Sequence, residues 1–274
     1  MNTPRAITLA CPACHAPIIP AHDGSAACAC GARYPSMGGA PSFAPTGGSE
    51  CRDWYEHAAQ SGATTAASVG YLSERHHRAM KRMFHELLAP LPSGALMLDA
   101  GCGHGGFARQ WTQDNTVAGV DFALNMVALA RAAGLEAFHA DAKAMPFAPG
   151  QFDIVVSAEV SQYFEDIGPL LAEMTRVARP GGLVILSVPN SQSLARRFNR
   201  AVIRKLTNRF RLDAATVLLH SWDEIARAAT PLPLDIEKVG LLYFPTEFMR
   251  QVNITSALDR RLASNFVVRF RKRS

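Results

Sequence analysis

The chain has 274 residues, 48% of them hydrophobic and 19% charged, with a net charge of +5. That supplies apolar material for one large core plus a small appendage and excludes an intrinsically disordered chain. The mild basicity permits an anionic partner without requiring one. No apolar run reaches the ~18 residues of a membrane-spanning helix, and Met1 to Ala10 lacks the apolar core of a secretory signal, which points to a cytoplasmic protein.

Residues 1–45 form a first segment, rich in Cys, Pro, Gly and Ala and without clear helical or strand periodicity. Cys11 and Cys14 make a Cys-x-x-Cys pair, and Cys28 and Cys30 follow after a short spacer. In a reducing compartment such clustered thiols bind metal more readily than they form disulfides. Four thiolates in two close pairs suit one tetrahedral zinc, which would supply the folding energy that so small a segment lacks. His15 or His22 could replace one thiolate, and an unmetallated tail is the competing reading. Residues 46–74 read as a linker, starting at Thr-Gly-Gly-Ser-Glu, and a leading helix.

Residues 75–274 alternate helical and strand-like segments. Met80, Met83, Phe84, Leu87 and Leu88 fall on one helical face. Short apolar runs follow at Ala95–Leu98, Thr116–Val120, Phe152–Val156 and Leu183–Val188, with helical patterns at Leu124–Ala133 and Gly168–Ala178 between them. This rhythm predicts a parallel sheet covered on both faces. Ser221 and Glu224 form a capping box ahead of a helix, and Leu234–Phe244 and Phe266–Phe270 read as the last strands.

In an open parallel sheet, ligands bind beyond the carboxyl ends of the strands where strand order reverses. The first such strand leads into Asp-Ala-Gly-Cys-Gly-His-Gly-Gly, residues 99–106, with a helix expected near Phe107. Gly101 and Gly103 let the backbone approach a ligand closely. Asp99 argues against a phosphate there and for a cationic or hydrogen-bond-donating group; the Gly-x-Gly-x-Gly spacing is not that of a dinucleotide or P-loop site. Asp121 ends the second strand about 20 residues on, where a carboxylate can accept from both ribose hydroxyls. Asp141, after a short third strand, can accept from an exocyclic adenine amine. The three acids together suit a ligand with a cationic amine, a ribose diol and an adenine, and no phosphate.

Four stretches carry a resemblance: residues 98–105, 119–130, 140–160 and 170–190. In that order and spacing the chain resembles the class I S-adenosylmethionine-dependent methyltransferases, in particular the small UbiE-like subgroup. The resemblance implies an α/β fold, a doubly wound, mostly parallel seven-stranded Rossmann-like sheet. It also implies donor-binding roles. Asp99 and Gly101 would face the methionine end, with Gly103 close by and Ser157 near the same half. Asp121 would hold the ribose, Phe122 and Met126 would flank the adenine, and Asp141 and Ala142 would meet its edge. The start of the chain resembles the small zinc ribbons that precede some class I methyltransferases, through Cys-Gly-x-x-Tyr-Pro at residues 30–35 and Gly-Gly-Ala-Pro at residues 38–41, although Cys28 departs by one residue from their spacing.

Proton transfer has two candidates. Tyr163 stands where many relatives carry a histidine, and a phenol with an ordinary pKa of about 10 makes it more a pocket wall than a base. His220 precedes the Ser221 helix, where related enzymes often place a histidine near the pocket; a cap or packing residue is the competing reading. The residues after the fourth strand, Ser157–Tyr163, lack the Pro-Pro signature of many exocyclic-amine methyltransferases. Residues 193–212 form a basic amphipathic insertion without an acid, read as a packed helix or as a surface for an anionic membrane, an anionic substrate or RNA. The expected activity is methyl transfer to a small-molecule, lipid or saccharide-type acceptor. The alternative is an rRNA or tRNA base methyltransferase that uses the ribbon and basic helix to bind RNA, and a third class is a non-catalytic docking module.

Overall fold

The computed structural model describes residues 5–45, 50–61, 74–91, 93–197, 218–243 and 248–274. The small N-terminal module contains two two-stranded antiparallel ladders, β1 (Ala26–Ala27) with β2 (Arg33–Tyr34) and β3 (Ser36–Met37) with β4 (Ala40–Pro41). Two helices follow, α1 (Glu50–Gln60) and α2 (Glu74–Leu88). Alternating strands and helices then give β5 (Leu96–Ala100), β6 (Thr116–Asp121), α3 (Leu124–Ala132), β7 (Glu136–His139), β8 (Phe152–Ser157), α4 (Gly168–Val177) and β9 (Ala178–Pro189). The chain closes with α5 (Trp222–Ala229), β10 (Leu234–Tyr243), β11 (Phe248–Val252), α6 (Ala257–Leu262) and β12 (Asn265–Lys272).

One sheet orders the large strands β11-β10-β12-β9-β8-β5-β6-β7. The five from β7 to β9 run parallel, and β12 pairs antiparallel with both β9 and β10. The expected seven strands are therefore eight among the described residues, because Phe248–Val252 pairs with β10 as an outer edge. Its side chains are half-buried or exposed, so it lacks the apolar run by which the central strands announce themselves. A second departure follows the glycine loop, where only a single 3-10 turn forms at Ala108–Trp111. Few residues separate that loop from β6, and Trp111 and Phe107 fill the sheet face that a longer helix would cover.

Both faces of the sheet are covered, which explains the continuous apolar runs of β5, β8 and β9. Met80, Met83, Phe84 and Leu87 of α2 pack on one face with Met97, Ile154 and Ile185. Leu170, Leu171 and Met174 of α4 and Ile225 of α5 cover the other with Leu98, Val155 and Leu186. The N-terminal module joins that second core through Cys11, Ile18, Ala26 and Phe43 and bridges to Ala140 and Phe147, shielding the β7 edge. The basic stretch 193–212 lies outside the described residues beyond Arg197. No helix among the described residues is long and apolar enough to cross a membrane.

Candidate functional site

Strand order reverses at β5: the chain runs to β6 and β7 on one side, then returns to β8 on the other. A cavity of about 410 Å³ opens beyond the carboxyl ends of these strands, in the size range of ligand pockets. Eight of the nine residues expected to hold a donor line it: Asp99, Gly101, Gly103, Asp121, Phe122, Met126, Asp141 and Ala142.

The loop geometry follows from its glycines. Gly101 sits at φ 88°, where a Cβ would fall 2.2 Å from Val160 Cγ2. Its amide and that of Cys102 donate to the Val120 carbonyl at 2.8 and 2.9 Å, folding the loop over β6. Asp121 fixes the other side: its carboxylate accepts from Gly103 N at 2.8 Å and Ala123 N at 2.9 Å. One carboxylate thus ties the glycine loop to the start of α3. Glu56 of α1 accepts from Leu124 N at 2.6 Å and Asn125 N at 2.8 Å, capping the amides of that same helix.

Asp99 is the unusual group. It is 1% exposed, and neither carboxylate oxygen has a hydrogen-bond partner among the described residues. Burial, with Asp121 adding repulsion, pushes its pKa up to about 7; burial also raises Asp121 to about 6. A buried carboxylate without partners is costly unless a ligand supplies a donor or a positive charge. This is the fit expected of a cationic ligand amine at Asp99.

The opposite wall comes from α1, α2 and the segment after β8: Cys51, Arg52, Tyr55, His77, Glu159 and Tyr163. Tyr55 and Tyr163 share a hydroxyl–hydroxyl hydrogen bond, and Gln162 Nε2 donates to the Tyr163 hydroxyl at 3.1 Å. Burial pushes Tyr163 up to about 12, which does not suit a base. Burial, with Lys81 nearby, lowers His77 to about 4 and leaves it neutral at neutral pH. Burial alone would raise Glu159, yet His76, Arg196 and His77 hold its carboxyl below the usual range. Glu159 also adopts a left-handed backbone (φ 59°), uncommon for a side chain of its size.

Two of the residues singled out in the sequence stand outside the cavity lining. Ser157 does not line the cavity; it is fully buried and its hydroxyl donates to the Ala100 carbonyl at 2.8 Å, cross-linking β8 to the end of β5. His220 is also outside the cavity lining, with Nε2 3.2 Å from the Ser161 carbonyl and its backbone bridged to Asn190, so it packs the loop beneath the site. The contributions of Arg52, Tyr55, Glu56 and His77 were not foreseen. They lie on helices whose local pattern says only that they are amphipathic, and only docking on the sheet turns Arg52, Tyr55 and His77 to the cavity and Glu56 to the start of α3.

At the N-terminal module, the sulfur atoms of Cys11, Cys14, Cys28 and Cys30 all lie within 4.8 Å of one another. Cys14 and Cys28 approach to 3.4 Å and Cys11 and Cys30 to 3.7 Å. Four thiolates on a tetrahedral zinc at about 2.3 Å would stand roughly 3.8 Å apart, so the Cys28 departure in spacing does not prevent convergence.

A doubly wound sheet with a pocket at its switch point and buried acids ending two adjacent strands is the architecture of the class I methyltransferases. Residues 98–186 match the family described as methyltransferase domain. Among known proteins, it is 34% identical over 126 residues to a malonyl-[acyl-carrier protein] O-methyltransferase of Enterobacter lignolyticus, covering 44% of this chain and 50% of that one. It is 33% identical over 123 residues to a tRNA (carboxymethyluridine(34)-5-O)-methyltransferase of Xenopus tropicalis, covering 44% of this chain and 19% of that one. The match spans about half the length of the first of these relatives. Among solved structures, a SAM-dependent methyltransferase of Thermotoga maritima aligns with a TM-score of 0.59 at 16% identity, over 81% of this chain and 99% of that one. The magnesium protoporphyrin IX methyltransferase of Synechocystis with bound SAH aligns with a TM-score of 0.53 at 19% identity, over 73% and 84%. These last two likenesses concern the fold.

Proposed function

We propose that the chain is an S-adenosylmethionine-dependent methyltransferase whose acceptor is a small or acyl-type molecule that enters already ionised, a carboxylate foremost. The observation behind it is the cavity beyond β5, β6 and β8, with an unpartnered Asp99 carboxylate beside Asp121. In this reading Asp99 takes the ligand's amine and Asp121 its ribose hydroxyls. Phe122 and Met126 flank the adenine, while Asp141 and Ala142 meet its edge.

S-adenosylmethionine brings a methyl group already activated on a sulfonium sulfur. What the chain adds is alignment and exclusion of water, which α1 supplies by laying Tyr55 against Tyr163. Proton removal is poorly provided for: Tyr163 is raised, His77 is lowered far from neutrality and Glu159 is held ionised. An acceptor that must lose a proton would find no matched base on this wall among the described residues, whereas a carboxylate needs none. The relatives named for malonyl-acyl carrier protein O-methylation support this class of acceptor. The four cysteines hold a structural zinc, and their thiols suit a reducing, cytoplasmic compartment.

A second reading, an RNA base as acceptor, is favoured by the match to the tRNA methyltransferase. The deciding experiment incubates the protein with methyl-tritiated S-adenosylmethionine and a lysate of its source, then counts label in nucleic acid, protein, lipid and small-molecule fractions. Base-labile label in the last three supports a carboxylate ester; nuclease-sensitive label replaces that reading with the second.

A further inference from the structure

A second feature at the same end of the sheet's strands takes no part in the pocket. The loop after β9 meets α6, where Asn190 Nδ2 donates to the carbonyls of Arg260 and Ala263, both at 2.7 Å. Between them lies a groove of about 520 Å³ lined by Ser191, Gln192, Leu194, Arg197, Arg260 and Arg261. Arg260 pairs with Asp223 at 3.4 Å, whereas no acid pairs with Arg197 or Arg261 among the described residues. The one acid of α6, Asp259, is buried and taken up by the Ser256 cap and Arg250.

Aliphatic side chains stand around this basic groove. Ile254 is 84% exposed, Leu258 64%, Leu194 50% and Leu262 43%. A single exposed leucine is ordinary. Here four such residues gather at one short helix and its flanks, with Leu258 and Leu262 one turn apart on the same face. Ile254, Leu258 and Leu262 project outward and do not line the groove, whereas Leu194 is one of its lining residues.

We propose that this face docks the chain on an anionic lipid bilayer. The groove takes an acidic headgroup through Arg197 and Arg261, and Ile254, Leu258 and Leu262 enter the boundary of the acyl layer. Projecting aliphatic residues beside arginines whose stems can snorkel are the composition of a surface that lies in a lipid interface. Charge continues with the same sign, since Phe198 to Leu212 contains Arg200, Arg204, Lys205, Arg209 and Arg211 and no acid. Position favours it as well. β12 begins at Asn265 directly after α6, opposite Pro189 at the carboxyl end of β9, and Asn265 Nδ2 donates to the pocket-lining Glu159 at 3.3 Å. The docking face and the pocket therefore lie at the same end of the sheet's strands, and an acceptor held in the lipid surface would meet the pocket there. The docking surface itself does not depend on the methyl-donor reading.

The test is cosedimentation of the full chain with phosphatidylcholine vesicles, with and without about 30% phosphatidylglycerol, at low and high salt. Wild type is compared with Leu258→Ser/Leu262→Ser and with Arg197→Gln/Arg261→Gln. The expected result is binding to the anionic vesicles only, weakened by salt and by about tenfold or more in each double variant. Calorimetric binding of S-adenosylhomocysteine stays at the wild-type level in both variants, because none of the four residues lines the cavity. That control separates loss of docking from loss of fold or of the donor site. No preference for anionic vesicles, or wild-type vesicle binding by both variants, overturns the proposal. So does a loss of tRNA binding in the variants while vesicle binding persists, which would make the face an RNA surface.

Discussion

The imidazole of His139 joins the N-terminal module to the pocket wall: Nδ1 lies 2.9 Å from Ser42 Oγ, and Nε2 lies 3.0 Å from the carbonyl of Phe122. His139 also accepts from Phe43 N through its own carbonyl at 2.8 Å. The cysteine module, with its proposed zinc, is thereby linked to the loop proposed to flank the adenine. Stripping metal with a strong chelator should weaken S-adenosylhomocysteine binding several-fold, and Ser42→Ala should do the same to a smaller degree with the metal retained. Calorimetry on both samples checks this, and unchanged affinity in both would show that the module stands apart from the site. Elemental analysis of the purified protein should return about one zinc per chain.

Asp121 carries two structural hydrogen bonds and, in the proposed role, two more to a ribose. Asp121→Ala should weaken S-adenosylhomocysteine binding at least about tenfold, the equivalent of one charged hydrogen bond at roughly 1.5–3 kcal/mol. Binding that survives this substitution would remove the ribose assignment.

The raised pKa of Asp99 gives a stability difference of definite sign. The folded state holds this proton up to about pH 7, whereas the unfolded state releases it near the ordinary aspartate value of 3.8. Folding of the ligand-free protein therefore loses stability as pH rises across that window. Asp99→Asn escapes this penalty, so its melting temperature relative to wild type should climb from pH 4 to 7 and then level off. Ligand should reverse the order, since a cationic amine favours the ionised acid. Equal melting temperatures at both ends of the range would mean that Asp99 is ionised without cost.

Gly101 needs both its left-handed backbone and its missing side chain. Gly101→Ala should destabilise the fold by about 1–3 kcal/mol from backbone strain alone, and further through the collision with Val160. Adding Val160→Ala should recover the second part and leave the first. Denaturant titration of the single and double variants separates the two.

Tyr163→Phe tests the wall against the base. With its phenol raised to about 12, the hydroxyl acts by holding Tyr55 and not by taking a proton. The variant should keep the wild-type pH profile of kcat and lose less than about tenfold in rate, below the 10²–10⁴-fold expected of a general base. Loss of a rise in rate toward alkaline pH would make Tyr163 the base after all.

The sequence by itself determined the sheet, the glycine loop and the acids that follow successive strands. A buried parallel strand must be apolar throughout, and a chain that turns sharply beside a ligand needs glycine, so both requirements are written locally. It also determined that four thiols could meet, since their spacing keeps them within reach of one metal. Tertiary structure alone decided which polar groups face the cavity. Ser157 and His220 sit at the expected places in the chain, yet the first is spent on Ala100 and the second on Ser161. Arg52, Tyr55 and His77 belong to helices that precede the sheet in the chain, and their direction is set by packing against residues far away in sequence. Edge strand β11 escaped because a half-exposed strand carries no continuous apolar run, and its pairing with β10 exists only once the rest of the sheet is in place.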